Sequence, residues 1–337
     1  MIREAISAAV AARDLTEEEA AAVMEEIMSG EATPAQLAAF LTALRLKGET
    51  VDEIAGMARV MRAKACRVSC DGALLDTCGT GGDASGTFNV STAAAFVAAA
   101  AGARVAKHGN RAMSSRCGSA DVLEALGAKI ELSPEGAQAC LDQTGFCFMF
   151  APRFHPAMRH AAGPRREIGI RTVFNILGPL CNPAGATRQV LGVADGSLGD
   201  KMAQVLARLG CERALIVHGD EGLDELSPAG TSQVWEIKDG VVGRYQVSPS
   251  DAGLASHPLS SVSGDTPEGN ARMLRSVISG ERGPLRDFTL LNAAAGLIAF
   301  GLAADFAEGV AKAAEAIDSG VALQKLESFV EASNATE

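Results

Sequence analysis

Asp76-Thr-Cys-Gly-Thr-Gly-Gly-Asp-Ala-Ser-Gly-Thr-Phe-Asn-Val-Ser-Thr92 is the stretch that decides the fold. Apolar residues 73–75 run into a glycine-rich turn, which ends in a cluster of hydroxyls and then an alanine-rich helix beginning near Ser91. That order builds an anion cradle. Glycines allow a tight turn and bring bare N–H groups up to a ligand. The helix start adds free donors and the positive end of its dipole. The spacing is not G-x-G-x-x-G and lacks G-x-x-x-x-G-K-[ST], so neither a dinucleotide site nor a nucleoside-triphosphate P-loop fits. Asp83 lies inside the turn, where it repels bare phosphate. An acid there points to a bridging magnesium ion or to a hydrogen bond with a sugar hydroxyl.

Upstream of this stretch the chain reads as helices only. Thr16-x-x-Glu19 is a capping box followed by Ala20, Val23, Met24 and Ile27 at helical spacing, with Gly30 as a stop. Thr33-Pro34 starts a second helix carrying Leu37, Phe40, Leu41 and Leu44, and Thr50-x-x-Glu53 opens a third. Downstream, short apolar runs at 103–107, 129–132, 146–150, 189–193 and 213–218 alternate with helical segments such as 134–143 and 198–209. Such alternation predicts a mostly parallel sheet with helices on its faces. Ser232–Lys238 and Val241–Val247, joined by Asp239-Gly240, predict a hairpin at one edge. From about Thr266 the chain is helical again, and 154–175 reads helical and interrupts the alternation. The fold class is therefore α/β, with two domains. A small helical domain spans 1–70, completed by about 154–182, and a large α/β domain spans 71–337.

The chain has 30 basic and 41 acidic residues in 337, a net charge of −11, which excludes general binding to nucleic acid or anionic membranes. A local basic pocket remains compatible. The eight cysteines form no C-x-x-C pair and read as reduced, mostly buried small hydrophobes. The start, Met-Ile-Arg-Glu-Ala, is not a signal peptide, and the most apolar stretch, 290–304, is too short to span a bilayer. A cytoplasmic location is expected.

Three further stretches depart from ordinary surface or core patterns. Lys107-His-Gly-Asn-Arg111, continuing through Arg116 to Ser119, sets three cations, two glycines and several hydroxyls behind a strand, where open sheets collect ligands. Arg165, Arg166 and Arg171 carry the planar fork that recognises carboxylates, while Asn175 and Asn182 read as residues that satisfy backbone at turns. Asp220, Glu221, Asp224 and Glu225 place four acids within six residues behind another strand, a set suited to Mg²⁺ that shares its shell with substrate phosphates. No Ser-His-Asp or Cys-His arrangement is present, and His108 reads as a positioning group.

Six segments, in order, resemble the anthranilate phosphoribosyltransferase family. They are Asp-Thr-Cys-Gly-Thr-Gly-Gly-Asp, Phe-Asn-Val-Ser-Thr, Lys-His-Gly-Asn-Arg, Gly-Ser-Ala-Asp-Val-Leu-Glu-Ala-Leu-Gly, Arg-Thr-Val-Phe-Asn-Ile-Leu-Gly-Pro-Leu and Gly-Leu-Asp-Glu-Leu-Ser. The resemblance covers essentially the whole chain. It implies a homodimer formed through helical-domain contacts, an active site at the hinge between the domains, and magnesium-dependent joining of 5-phosphoribosyl 1-pyrophosphate to anthranilate in tryptophan biosynthesis. For the phosphoribosyl donor it implies Gly79, Gly82, Asp83, Thr87, Asn89, Val90, Ser91, Thr92, Lys107, His108, Gly109, Asn110, Arg111, Ala112, Met113, Ser114, Ser115 and Ser119. For anthranilate it implies Gly79, Asn110 and Arg165, with His108 close by. For magnesium it implies Ser91, Asp224 and Glu225. Ala84 stands where the family often has glycine, and Cys181 where it often has threonine. The nearest rival, the nucleoside phosphorylases of the same architecture, carries a turn resembling Lys-His-Ser-Thr-Gly-Gly, which this chain lacks.

Overall fold

Thr16, Thr33 and Thr50 each accept a hydrogen bond from the backbone N–H three residues on, and the side-chain oxygens of Glu19, Gln36 and Glu53 accept the threonine backbone N–H groups. Each such cap contributes about 1 kcal/mol and sets where a helix begins. The computed structural model describes residues 1–83, 85–112 and 116–336. Its first four helices are α1 (Ile2–Val10), α2 (Glu17–Met28), α3 (Pro34–Lys47) and α4 (Val51–Ala63).

The α/β part follows with β1 (Leu75–Gly79), α5 (Val90–Ala100), β2 (Val105–Gly109), α6 (Ser119–Ala125), α7 (Pro134–Thr144) and β3 (Phe146–Phe150). Short α8 (Ala151–Phe154), α9 (Arg159–Ile168) and short α10 (Phe174–Leu177) interrupt it. It resumes with β4 (Arg188–Gly192), α11 (Gly199–Arg208), β5 (Arg213–Gly219), β6 (Ser232–Lys238) and β7 (Val241–Val247). Helices α12 (Pro267–Ile278), α13 (Pro284–Phe300), α14 (Phe306–Asp318) and α15 (Val321–Ala335) close the chain. The sheet order is β3-β2-β1-β4-β5-β6-β7, parallel as far as β5 and antiparallel from β5 to β7. The order reverses between β1 and β4, and such a switch point opens a crevice beyond the strand ends.

Two apolar cores flank the sheet, and strand alternation divides them. On β5, Leu215 and Val217 join the core built with α5 and α13, while Ala214 and Ile216 join the other. That second core also contains Phe40, Ile54, Leu177 and Met202, so the N-terminal helices, α10 and α11 share one apolar mass with the sheet. Arg62 of α4 ties them further, donating to Leu180 O at 2.6 Å and to Leu209 O at 2.9 Å.

The structure corrects or refines three expectations. Residues 129–132 form no strand: Ile130 and Leu132 are buried, but the Lys129 N–H donates to Ser333 Oγ (3.1 Å), so the segment lies along α15. Residues 154–175 are helical and interrupt the alternation as read, but in separate pieces. Gly169, in the left-handed region at φ 68°, ends α9, and α10 is separate. The first two strands run further than their apolar residues suggest, carrying Asp76 through Gly79 and Lys107 through Gly109 into the sheet. Buried partners make that possible. Asp76 Oδ1 accepts the His108 N–H (3.1 Å), and Asp76 Oδ2 accepts Asn182 Nδ2 (2.8 Å).

Candidate active site

At the switch point β1 and β4 end side by side on Gly79 and Gly192. The chain after β5 crosses directly over them. A Cβ on Gly79 would stand 2.2 Å from Asp224 Oδ2, and one on Gly192 1.5 Å from the Asp224 carbonyl oxygen. Only glycine at both strand ends lets Asp224 sit there. The Gly81 N–H donates to Asp224 Oδ2 at 2.7 Å, and Asn292 of α13 brackets the backbone of Leu226 from below.

This crossing gathers Asp83, Asp224 and Glu225, whose carboxylate oxygens lie within 4.8 Å of one another. Burial, then repulsion from Asp83, pushes the Asp224 carboxyl up to about 6. Burial and Asp224 push Glu225 well above the usual carboxylate range. Glu225 Oε2 is buried with no hydrogen-bond partner among the described residues. Three hard oxygens, mutually repelling and one of them unpartnered, form the donor set that a magnesium ion relieves. Ser91 fits the same set, since it lines one small cavity together with Asp224, Glu225, Thr77 and Cys78.

The glycine turn needs its glycines, because Gly81, Gly82 and Gly86 have φ of 64°, 77° and 63°. Its far side is pinned: the Gly264 N–H donates to Gly86 O (2.7 Å), the Phe88 N–H donates to Val262 O (3.0 Å), and Thr87 bridges Ser263. Ser85 Oγ donates to Asp83 Oδ2. Asn89 begins α5 without a side-chain cap. Its Nδ2 donates to Cys117 O (3.1 Å), and its Oδ1 accepts from Asn270 (2.8 Å), so the amide joins the glycine turn to the basic loop. Val90 is wholly buried in the core, and its N–H is bonded to Phe88 O (2.6 Å). Thr92 is also buried, with Oγ1 unpartnered among the described residues.

Lys107 is not a loop cation. Its Nζ lies inside the sheet layer, donating to Thr77 O, to Thr77 Oγ1 (3.2 Å) and to Ser91 Oγ (3.4 Å), and burial lowers its basicity. There it faces Asp76 and Glu225, whose charges oppose that lowering. His108 is buried with Nε2 unpartnered among the described residues, its ring centroid 5.0 Å from that of His155. Burial lowers the His108 pKa to about 3 and that of His155 to about 4, so both rings are neutral near pH 7.

Beyond the strand, a Cβ on Gly109 would meet Ser119 Oγ at 2.3 Å, and Ser119 Oγ donates to Asn110 O (3.3 Å). Asp121 collects the N–H groups of Ala112 and Gly118, both at 2.9 Å. Arg111 is drawn onto α6 by Asp121 (3.0 Å) and Glu124 (2.8 Å). Met113, Ser114, Ser115 and Ala84 lie outside the described residues.

Arg165, half-buried on α9, stacks 4.9 Å from the Phe174 ring centroid, and burial lowers its basicity. Arg166 is exposed. Asn175 accepts the Thr172 N–H (2.9 Å), as expected of a turn residue. Asn182 accepts the Ala184 N–H (2.9 Å) and also donates to Asp76, a role its sequence context does not announce. Sequence reasoning likewise missed His155, Asn270 and Asn292, which meet the site only through contacts distant in the chain.

The helical part and the α/β part of the chain each match a glycosyl transferase family model, which sets the class of the protein. Residues 3–65 match the glycosyl transferase family, helical bundle domain, and residues 71–323 match the glycosyl transferase family, a/b domain. The chain is 56% identical over 335 residues to anthranilate phosphoribosyltransferase of Herpetosiphon aurantiacus, covering 99% of each chain. It is 60% identical over 331 residues to that of Chloroflexus aggregans, covering 98% of this chain and 97% of the relative. The solved structure of the Thermus thermophilus enzyme superposes with a TM-score of 0.93 at 48% identity, over 98% of this chain and 99% of that one. The Saccharomyces cerevisiae enzyme in complex with PRPP and Mg gives 0.89 at 33% identity, over 95% and 94%. The chain belongs to the anthranilate phosphoribosyltransferase family.

Proposed function

We infer that this chain transfers the 5-phosphoribosyl group from 5-phosphoribosyl 1-pyrophosphate to the amine of anthranilate, releasing pyrophosphate, in tryptophan biosynthesis. The observation that carries the reading is the trio Asp83, Asp224 and Glu225, held at the switch point against the glycine turn. Asp224, Glu225 and Ser91 hold magnesium, which when bound neutralises charge on the departing pyrophosphate.

The chain's own residues do the rest. Gly79, Gly82, Asp83 and Thr87, with Asn89, Ser91 and Thr92 at the start of α5, hold the donor at a helix terminus whose dipole favours anions, and the buried Val90 anchors that terminus in the core. Gly109, Asn110, Arg111, Ala112 and Ser119, with Met113, Ser114 and Ser115, enclose its ribose and phosphates, and the buried Lys107 and His108 support them from the strand. Arg165, preset against Phe174, takes the anthranilate carboxylate, and Gly79 and Asn110 flank it. An aromatic amine is already neutral at pH 7, so no strong base is required. A histidine whose pKa burial lowers to about 3 is suited to packing and positioning. Holding amine and anomeric carbon in line supplies the remainder.

We further propose two domains, 1–70 completed by 154–182 and 71–337, with the reaction at the hinge between them. The chain pairs into a homodimer through the helical domain, where Val10 on α1 and Leu46 on α3 are 73% and 83% exposed. A cytoplasmic location suits eight cysteines that form no disulfide. No described helix is long and apolar enough to cross a membrane.

The fluorescence of anthranilate gives the test. Its consumption must require both 5-phosphoribosyl 1-pyrophosphate and magnesium; no consumption with all three present overturns the reading. Light scattering of the purified chain tests the dimer, which a Leu46→Glu change should split.

A further inference from the structure

Arg171 follows the left-handed Gly169 that ends α9, so it lies on the connection leaving the helical segment. Its guanidinium crosses to the glycine turn, where Nη2 donates to Thr80 O at 3.1 Å. Nη1 lies so close over Gly82 that a Cβ there would be 1.6 Å away. Gly82, at φ 77°, is thus required both by its backbone and by the arginine above it. Arg111 and Arg286 are each tied to carboxylates. Arg171 is exposed and forms no ion pair among the described residues. It faces Asp224, whose carboxylate form it favours.

We propose that Arg171 is a substrate-contacting residue that takes the diphosphate of the phosphoribosyl donor and draws the connection after α9 onto the glycine turn. The proposal rests on the transfer reaction inferred above. One N–H group is occupied by Thr80, and the remaining donors keep the fork that matches phosphate oxygens. The position separates this arginine from Arg165. Arg165 lies against an aromatic ring, as suits a flat aromatic acid, whereas Arg171 lies over the anion turn beside the metal-type carboxylates, where diphosphate oxygens share a cation's shell. Gly82 gives the arrangement its economy, because no other residue leaves room for the guanidinium.

Arg171→Ala and Arg171→Lys test this in the full chain, with calorimetric binding of magnesium pyrophosphate and steady-state kinetics for both substrates. Losing charge-assisted hydrogen bonds should raise the pyrophosphate Kd and the donor KM about 10- to 100-fold in Arg171→Ala, with the anthranilate KM within about twofold. Arg171→Lys, keeping charge without the fork, should lie between. If the alanine variant does not fold, the lysine variant alone carries the test and must weaken pyrophosphate by about threefold or more. Unchanged pyrophosphate affinity, or equal losses for both substrates, overturns the proposal. Those outcomes with a wild type that consumes anthranilate strike Arg171 alone, whereas an inert wild type strikes the transfer reaction.

Discussion

The two ends of the sheet are built on opposite principles. Where β1, β4 and β5 finish, carboxylates crowd together, and Glu225 Oε2, Thr92 Oγ1 and His108 Nε2 are buried without partners among the described residues. Where β4 and β5 begin, charge is answered on the spot. Arg188 donates to Glu212 (3.0 Å) and to Phe300 O (3.1 Å), and Arg213 pairs with Glu236 (3.6 Å), with Arg213 Nε unpartnered among the described residues. One end completes itself within the fold, and the other is completed by what it binds. Unrelieved like charge in a cleft is costly to folding and persists where a ligand offsets it.

The largest test of this contrast is Asp224→Asn with Glu225→Gln. Turnover should fall by roughly 100- to 1000-fold, as for loss of a principal electrostatic stabiliser. Magnesium should raise the melting temperature of the wild type and not of the variant. The Asp224 pKa is raised from 3.8 to about 6, so the folded state binds the extra proton between those values. That contribution stabilises at low pH and is lost as pH rises through about 6. Without metal at pH 7 the variant should therefore be at least as stable as the wild type. A variant that melts lower and still responds to magnesium would erase the contrast.

Next in size is Arg165→Ala. The anthranilate KM should rise about 10- to 100-fold while that of the phosphoribosyl donor holds, because one charge-assisted carboxylate partner is lost. Equal losses for both substrates would make Arg165 a packing residue.

His108→Gln sharpens the comparison within the cleft itself. Turnover should persist, reduced by about tenfold or less if the ring only positions. The folded pKa of His108 is depressed from 6.5 to about 3, so the unfolded chain takes up a proton that the folded chain refuses. The wild type should lose about 1–2 kcal/mol of stability between pH 7 and 5 that the variant keeps. Parallel melting curves for the two across that range would discard the buried, neutral ring.

The smallest effect belongs to the other end of the sheet. Arg188→Ala should cost about 1 kcal/mol, since its Glu212 partner is largely exposed and the main loss is the bond to Phe300 O. Turnover should not change. A kinetic effect there would mean that the two ends are coupled.

Much of the fold was readable wherever a local rule decides. The hairpin Ser232–Lys238 and Val241–Val247, the strand Phe146–Phe150 and the capping boxes at Thr16 and Thr50 stand where turn chemistry, short apolar runs and capping place them. Residues 129–132 have strand composition but lie along α15, because the contact that claims them is 204 positions away. Within the site the glycines and the pair Asp224-Glu225 were visible as motifs. Asp83 stood apart as an awkward acid, and Lys107 read as a ligand-facing cation behind the strand although the sheet buries it.

By itself the sequence determined the types of element, the anion-cradling turn, the acids able to hold a divalent ion and the family to which the chain belongs. These follow from neighbours a few residues apart, where backbone freedom, capping and charge spacing act. Tertiary structure alone decided which strand ends meet at the switch point, and that Gly79 and Gly192 make room for Asp224. It also set the neutrality of His108 and brought Arg171 over Gly82. Burial and electrostatic repulsion depend on distances in space, and those exist only once segments far apart in the chain have packed together.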